Sequence, residues 1–221
     1  LEFRRVLFRS NRITVRTITG SGRYQWTGGQ HAVEAGWSRR SLRFEDRLNE
    51  KSVVVGPDTN GDLVRIVADS LNDAATLSTA QTAFHLEDAW DVLQDEPGRL
   101  TVTGGVRIDH YAFTDEWTVS PRAYFSWKVN PITAWFGSVG LYHQAPTYRE
   151  LRGKPEVGES ILGSLNDELR SQRSRQIVVG GEYFIPSRRF FFRTELWHKI
   201  IQHLISYDIE NVRVQIGRAH V

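Results

Sequence analysis

The residues able to do chemistry in this 221-residue chain are mostly not arranged to do it. Its seven histidines show no HExxH spacing and no clustered ligand set, so no metal site is expected. Neither a G-x-S-x-G elbow nor a phosphate-cradling G-x-x-x-x-G-K-S/T run occurs, and no cofactor is expected. A hydrolase would need a serine and an acid beside His110 or His143, and no convincing serine faces either. Asp58-Thr59-Asn60-Gly61-Asp62 with Asp69 resembles a calcium loop. Its glycine is fourth rather than sixth and its last residue is not Glu, so a polar turn is the expectation. One run does concentrate aromatic and bidentate groups of the kind that hold polar ligands: Tyr142, His143, Gln144, Tyr148, Arg149, Glu150 and Arg152. The plainer alternative is that Gln144 to Arg152 fastens a strand end to its neighbours.

The elements that would position these groups are strands. From Val119 to Val129 the odd positions are Val119, Pro121, Ala123, Phe125, Trp127 and Val129, and the even ones are Ser120, Arg122, Tyr124, Ser126 and Lys128. A strand has period two, so one face is apolar and the other polar. Such a strand belongs either to a soluble sandwich, whose apolar face meets a second sheet, or to a membrane barrel, whose apolar face meets lipid. Arg99 to Phe113 divides the same way, with Leu100, Val102, Val106 and Ile108 opposite Thr101, Thr103, Arg107 and Asp109. Arg173 to Ile185 sets Ile177, Val179 and Tyr183 against Gln176 and Glu182. Arg189 to Ile201 sets Phe190, Phe192, Leu196 and Ile200 against Arg193, Glu195 and Lys199. The inward, lumen-facing charges are then Arg107, Asp109, Arg122, Lys128, Arg193, Glu195 and Lys199. His31 to Arg47 changes phase, from odd Val33, Ala35 and Trp37 to even Leu42 and Phe44, which calls for a bulge near Arg39-Arg40 or an exit from the bilayer there.

Connection lengths separate the two architectures. About nine strand-like segments are joined by tight corners at Thr27 to Gln30, Leu93 to Gly98, Asn130-Pro131 and Pro186 to Arg188. They alternate with Leu48 to Thr79, a brief Thr114-Asp115, Gln144 to Gln172 and Ser206 to Gln215. All tight corners fall on one side, as in barrels with short periplasmic turns and long extracellular loops. Leu63, Ile66, Val67 and Leu71 have helical spacing and suggest a short helix in the first long loop. All seven tryptophans lie inside strand segments, several near an end, as interfacial girdles require. No run of 18 apolar residues exists for a spanning helix.

Both termini look foreign. Leu1 to Ser10 and Ile216 to Val221 resemble in-frame translations of the two ends of a sequencing adapter, which leaves 11–215 as a barrel fragment. Without them Lys+Arg falls from 28 to 24 and Asp+Glu from 26 to 25, and the net charge moves from +2 to −1. Nothing in that balance points to nucleic acid. Cysteine is absent, which excludes a disulfide framework or thiolate metal site.

Three stretches resemble the TonB-dependent receptors of the Gram-negative outer membrane. Val106-Arg107-Ile108-Asp109-His110-Tyr111 followed by Ser120-Pro121-Arg122 is similar to that family's GLRYDHY and SPR strands. Gly140 to Leu151, GLYHQAPTYREL, is similar to its G-x-Y/F-x-Q-x-P-x-Y-x-E-L strand end, and Leu165 to Ser174 to the NP-x-L run before a later strand. The wording is nearest to receptors that carry a carboxypeptidase-regulatory-like domain ahead of the plug. The resemblance implies an all-β, partial antiparallel transmembrane β-barrel, about nine strands of a 22-stranded whole, in the cell outer membrane. It implies an importer of a scarce nutrient (siderophore, cobalamin, glycan or peptide) rather than an enzyme. Its partners would be outer-membrane lipid, a plug domain of the same chain, the TonB complex and the small nutrient ligand. Extracellular loops would bind that ligand, which makes Tyr142, His143, Gln144, Tyr148, Arg149, Glu150 and Arg152 the candidate contacts. A membrane-embedded enzyme barrel and a soluble β-sheet binding module are the alternatives.

Overall fold

The computed structural model describes residues 4–57, 63–94, 98–153, 160, 163–207 and 213–220. These form one nine-stranded antiparallel sheet in which every strand pairs with its neighbours in sequence. The strands are β1 (Arg4–Gly28), β2 (His31–Pro57), β3 (Leu63–Leu93), β4 (Arg99–Tyr111), β5 (Glu116–Asn130), β6 (Thr133–Gln144), β7 (Gln172–Ile185), β8 (Phe190–Tyr207) and β9 (Arg213–His220). A four-residue helix, α1 (Tyr148–Leu151), lies in the β6–β7 connection. The turns at one end of the sheet are short because local chemistry closes them. Gly29 takes φ +57°, the Asn130 side chain accepts from the Ile132 N–H at 3.0 Å, and Pro186–Arg188 makes one 3-10 turn ended by left-handed Arg189.

Directly paired residues of an antiparallel ladder share a face, so the register carries the two faces across the sheet. One face runs through Phe84, Ile108, Val119 and onward to Val139, Ile177 and His198 by way of the β3–β4, β4–β5, β6–β7 and β7–β8 ladders. It displays Phe84, Leu86, Val102, Val119, Ile177, Val179, Phe192 and Leu196, all exposed, with Leu196 at 70%. Buried apolar side chains are few among the described residues, and none belongs to a second sheet covering that face. Six tryptophans (Trp26, Trp37, Trp90, Trp117, Trp127, Trp135) share it by register, whereas Trp197 pairs with Val178 on the opposite, polar face and is no part of an outer girdle.

Two local expectations fail for one physical reason, and of the two alternatives for His31 to Arg47 the bulge is ruled out. Of the expected loop Leu48 to Thr79, residues 48–57 and 63–79 are strand: β2 and β3 pair from His31–Trp90 out to Pro57–Leu63, with one shift at Ser52/Val53. The helical spacing of Leu63, Ile66, Val67 and Leu71 is therefore carried by a strand. No bulge occurs at Arg39-Arg40, since the β1–β2 register is unbroken from Gly28–His31 to Arg4–Val55. Amphipathic alternation marks a strand only where its two faces meet different surroundings, and these long strands continue past the region where they do. The calcium-like turn at 58–62 lies outside the described residues.

Packing on the polar face is close at Gly180. Phe136 lies over it, a Cβ there would collide with that ring and come within 2.7 Å of the Thr194 carbonyl, and the Arg193 guanidinium covers the ring at 4.4 Å. Gly180→Val should destabilise the β6–β7–β8 region by about 1–3 kcal/mol through overpacking. Urea unfolding of the barrel in detergent measures this, and a midpoint unchanged from the parent would contradict the contact.

Candidate functional site

The seven charges expected to face a lumen all fall on the polar face. Arg107 pairs with Ser120, Arg122 with Gly105 and Lys128 with Arg99. Arg193, Glu195 and Lys199 join that face through Glu182, Gly180 and Gln176. Most are mutually neutralised. Arg107 grips Asp109 through Nε at 2.9 Å and Nη2 at 2.7 Å, Arg122 meets Glu87 at 3.1 Å, and Arg193 meets Glu182 at 2.9 Å and Glu195 at 3.4 Å. Pairs this exposed add little stability, but they keep a polar surface wetted without net charge.

A cavity of about 250 Å³ opens where β5 and β6 part, lined from the polar face by Arg107, Asp109, Tyr111, Ser120, Arg122 and Tyr142 and from the other by Leu141 and His143, which pair with Arg175 and Arg173. Its cause is local. The β5–β6 ladder ends at Arg122–Gly140, where Pro121, lacking an N–H, would next sit opposite Leu141. Beyond that point the two strands part. Among the described residues one side-chain bond crosses the gap, between Ser120 Oγ and His143 Nδ1 at 3.0 Å. A serine does therefore face His143, contrary to the sequence reading. No carboxylate hydrogen-bonds that imidazole among the described residues, so the pair lacks the third group that orients a catalytic base.

The connection after β6 folds back over the polar face. Thr147 opens α1, its N–H and hydroxyl both donating to the Glu150 carboxylate at 2.7 and 2.9 Å. Tyr148 then stacks on Phe44 at 4.5 Å between ring centroids and donates its hydroxyl to Asp46 at 2.9 Å. Arg152 reaches the same Asp46 oxygen at 3.2 Å. Asp46 is fully buried, and Tyr148 and Arg152 are each 6% exposed. Phe44 and Leu42 line the cleft beneath α1 together with Leu77, Tyr111 and Leu151. This explains the phase change in β2: its odd residues are apolar where the outer face is bare, and its even ones where the inner face is roofed. The far end of the connection is tied as firmly, since Ser171 donates its N–H and hydroxyl to Glu116 at 2.9 and 2.6 Å.

The seven candidate contacts thus divide. Tyr148 and Arg152 are consumed by Asp46 and Glu150 by the helix cap, while Gln144 and Arg149 are exposed and Tyr142 and His143 line the cavity. Sequence reasoning missed Asp46 and Glu116, because nothing local distinguishes a carboxylate whose partner lies 102 or 55 residues away.

Tyr148, outside the strands, has its phenol pushed well above the ordinary tyrosine value by burial first and by the Asp46 carboxylate second. A folded value raised above the unfolded one of about 10 means that the neutral phenol's contribution is complete below that pH and is lost as pH rises through the folded value. Amide-exchange protection of 147–152 should fall in strong alkali, and Tyr148→Phe should remove that pH dependence. Protection that falls identically in both proteins would contradict this assignment.

A family model described as TonB dependent receptor-like, beta-barrel matches residues 3–221. None of the curated proteins matches. Among solved structures, the copper transporter OprC is similar at 16% identity and TM-score 0.56, with 89% of this chain and 32% of that chain covered. The siderophore receptor PirA from Acinetobacter baumannii is similar at 12% identity and TM-score 0.53, with 95% and 41% covered. The alcaligin outer membrane receptor FauA from Bordetella pertussis aligns over 99% of this chain and 42% of that one at 14% identity, with a TM-score of only 0.39. The chain spans well under half the length of these structures, and at such identities the likeness is one of fold. The family and its structural neighbours are receptors and transporters, not enzymes. With its sequential antiparallel ladder, bare apolar face and ion-paired polar face, the chain belongs to the TonB-dependent receptor-like β-barrel family.

Proposed function

We propose that this chain is part of the wall of an outer-membrane active-transport receptor that admits a scarce, polar nutrient on its lumenal side. The observation that carries this reading is the contrast between the two faces, one apolar and uncovered, the other ion-paired and roofed at its loop end by the β6–β7 connection. The first face suits hydrocarbon and the second a water-filled lumen. The cavity between Arg107, Arg122, Tyr142 and His143 offers a phenol, an imidazole and two guanidinium groups already paired with Asp109 and Glu87, a mixed polar lining that suits oxygen-rich ligands such as a siderophore, cobalamin, glycan or peptide. Exposed Gln144 and Arg149 extend that surface. A plug domain, contacted by Lys128, Arg193, Glu195 and Lys199, and the TonB complex would complete the device. On the adapter resemblance alone, residues 1–10 and 216–221 are read as foreign to the parent chain.

The parent receptor, expressed in a Gram-negative outer membrane, should show heat-modifiable migration and support uptake of one such nutrient only when TonB is present. Uptake that persists unchanged without TonB, or recovery of the protein without detergent, would overturn the reading. Tyr142→Ala with Arg122→Ala should lower nutrient affinity by about tenfold or more while leaving heat-modifiability intact.

A further inference from the structure

The parting of β5 and β6 has an outer side as well. There a groove of about 440 Å³ lies on the apolar face, floored by Val139, Leu141, Ile177 and Ile200 and flanked by Arg173 and Arg175, with His198 also on its lining. Register places Arg173, Arg175 and Ile177 on the same face of β7, and Arg173 is the second residue of that strand, at the end that carries the long β6–β7 connection. Neither arginine forms an ion pair among the described residues, and Arg173 Nε is buried without a hydrogen-bond partner. That differs from the polar face, where Arg107, Arg122 and Arg193 each hold a carboxylate. On a face turned to lipid, a guanidinium is costly unless it sits near the interface and meets an anion.

We propose that this groove holds one phosphorylated lipid of the leaflet at the loop end of the barrel, its phosphate between Arg173 and Arg175 and an acyl chain along Val139, Leu141, Ile177 and Ile200. The two unpaired guanidinium forks match a phosphate in charge and geometry, and the apolar floor matches a hydrocarbon chain continuous with the bilayer. A free anion would use the forks but not the floor, and a neutral lipid the floor but not the forks. Pro121 is what makes the room: with the ladder ended at Arg122–Gly140, no paired β5 backbone lies beside Leu141.

The test uses the parent receptor, purified in detergent, mixed with equal amounts of phosphatidic acid and phosphatidylcholine and examined by native mass spectrometry. Phosphatidic acid should be retained in preference to phosphatidylcholine, and the double variant Arg173→Gln/Arg175→Gln should lose that preference by about tenfold or more. Arg39→Gln, an arginine that the register also places on the outer face but beside no such groove, should leave it unchanged. Equal retention of the two lipids by the unaltered protein would overturn the proposal, as would an unchanged preference in a double variant that still migrates as a heat-modifiable barrel. Complete displacement of the lipid by inorganic phosphate would overturn it too, since that marks a free-anion site. Should the double variant not fold, the competition in the unaltered protein and Arg175→Gln decide alone. None of these measurements reads uptake, so their failure is distinct from failure of the transport reading.

Discussion

Asp46→Leu is expected to loosen the β6–β7 connection from the sheet by about 3–5 kcal/mol, because Arg152 is then left buried without its counter-charge. Arg152→Met should cost a similar amount by stranding Asp46. The double variant should recover most of the loss, since a buried pair replaced by apolar groups of similar size is often neutral or more stable. The cycle thus separates a clamp from a ligand contact. If Arg152 served the nutrient, Arg152→Met would impair uptake at unchanged stability and Asp46→Leu would not rescue it. Limited proteolysis and amide exchange of 145–171 in the intact barrel read the clamp directly. Additive losses in the double variant would sink the idea that these two side chains neutralise each other.

The second large effect concerns two adjacent residues. Val179 shares the apolar face with Leu196 and Gly137, whereas Val178 shares the polar face with Trp197 and Ser138. Val179→Arg should destabilise the membrane-inserted barrel by about 2–4 kcal/mol if it lies near the bilayer midplane, and Val178→Arg, facing the lumen, by much less. Folding into vesicles under a urea gradient measures both. Equal penalties would mean that the two faces do not meet different solvents, and the membrane reading of the sheet would fail with them.

What could be read in the sequence is whatever is local and repeats with period two. From β4 to β8 the split between Val102, Val106, Val119, Ile177 and Leu196 on one side and Arg107, Arg122, Arg193 and Glu195 on the other needed no tertiary information. Hydrocarbon and water impose opposite demands on successive residues, and the corner at Asn130-Pro131 closes by its own side chain. The Gly140 to Leu151 stretch carried the family likeness for a related reason: Thr147, Tyr148, Glu150 and Leu151 each perform a task within one turn of helix or directly beneath it.

Only the tertiary structure decided the rest. The pairing of 48–57 with 63–73 leaves no amphipathic trace, because backbone hydrogen bonds form the ladder whatever side chains flank it. The phase change in β2 belongs to the roof above Phe44, not to the strand. Asp46 acquires its role from Tyr148 and Arg152, and Ser120 from His143 across a gap opened by Pro121. A side chain's chemistry is fixed by its covalent structure, but its task depends on which groups share its surroundings, and here those groups arrive from strands that sequence distance does not relate.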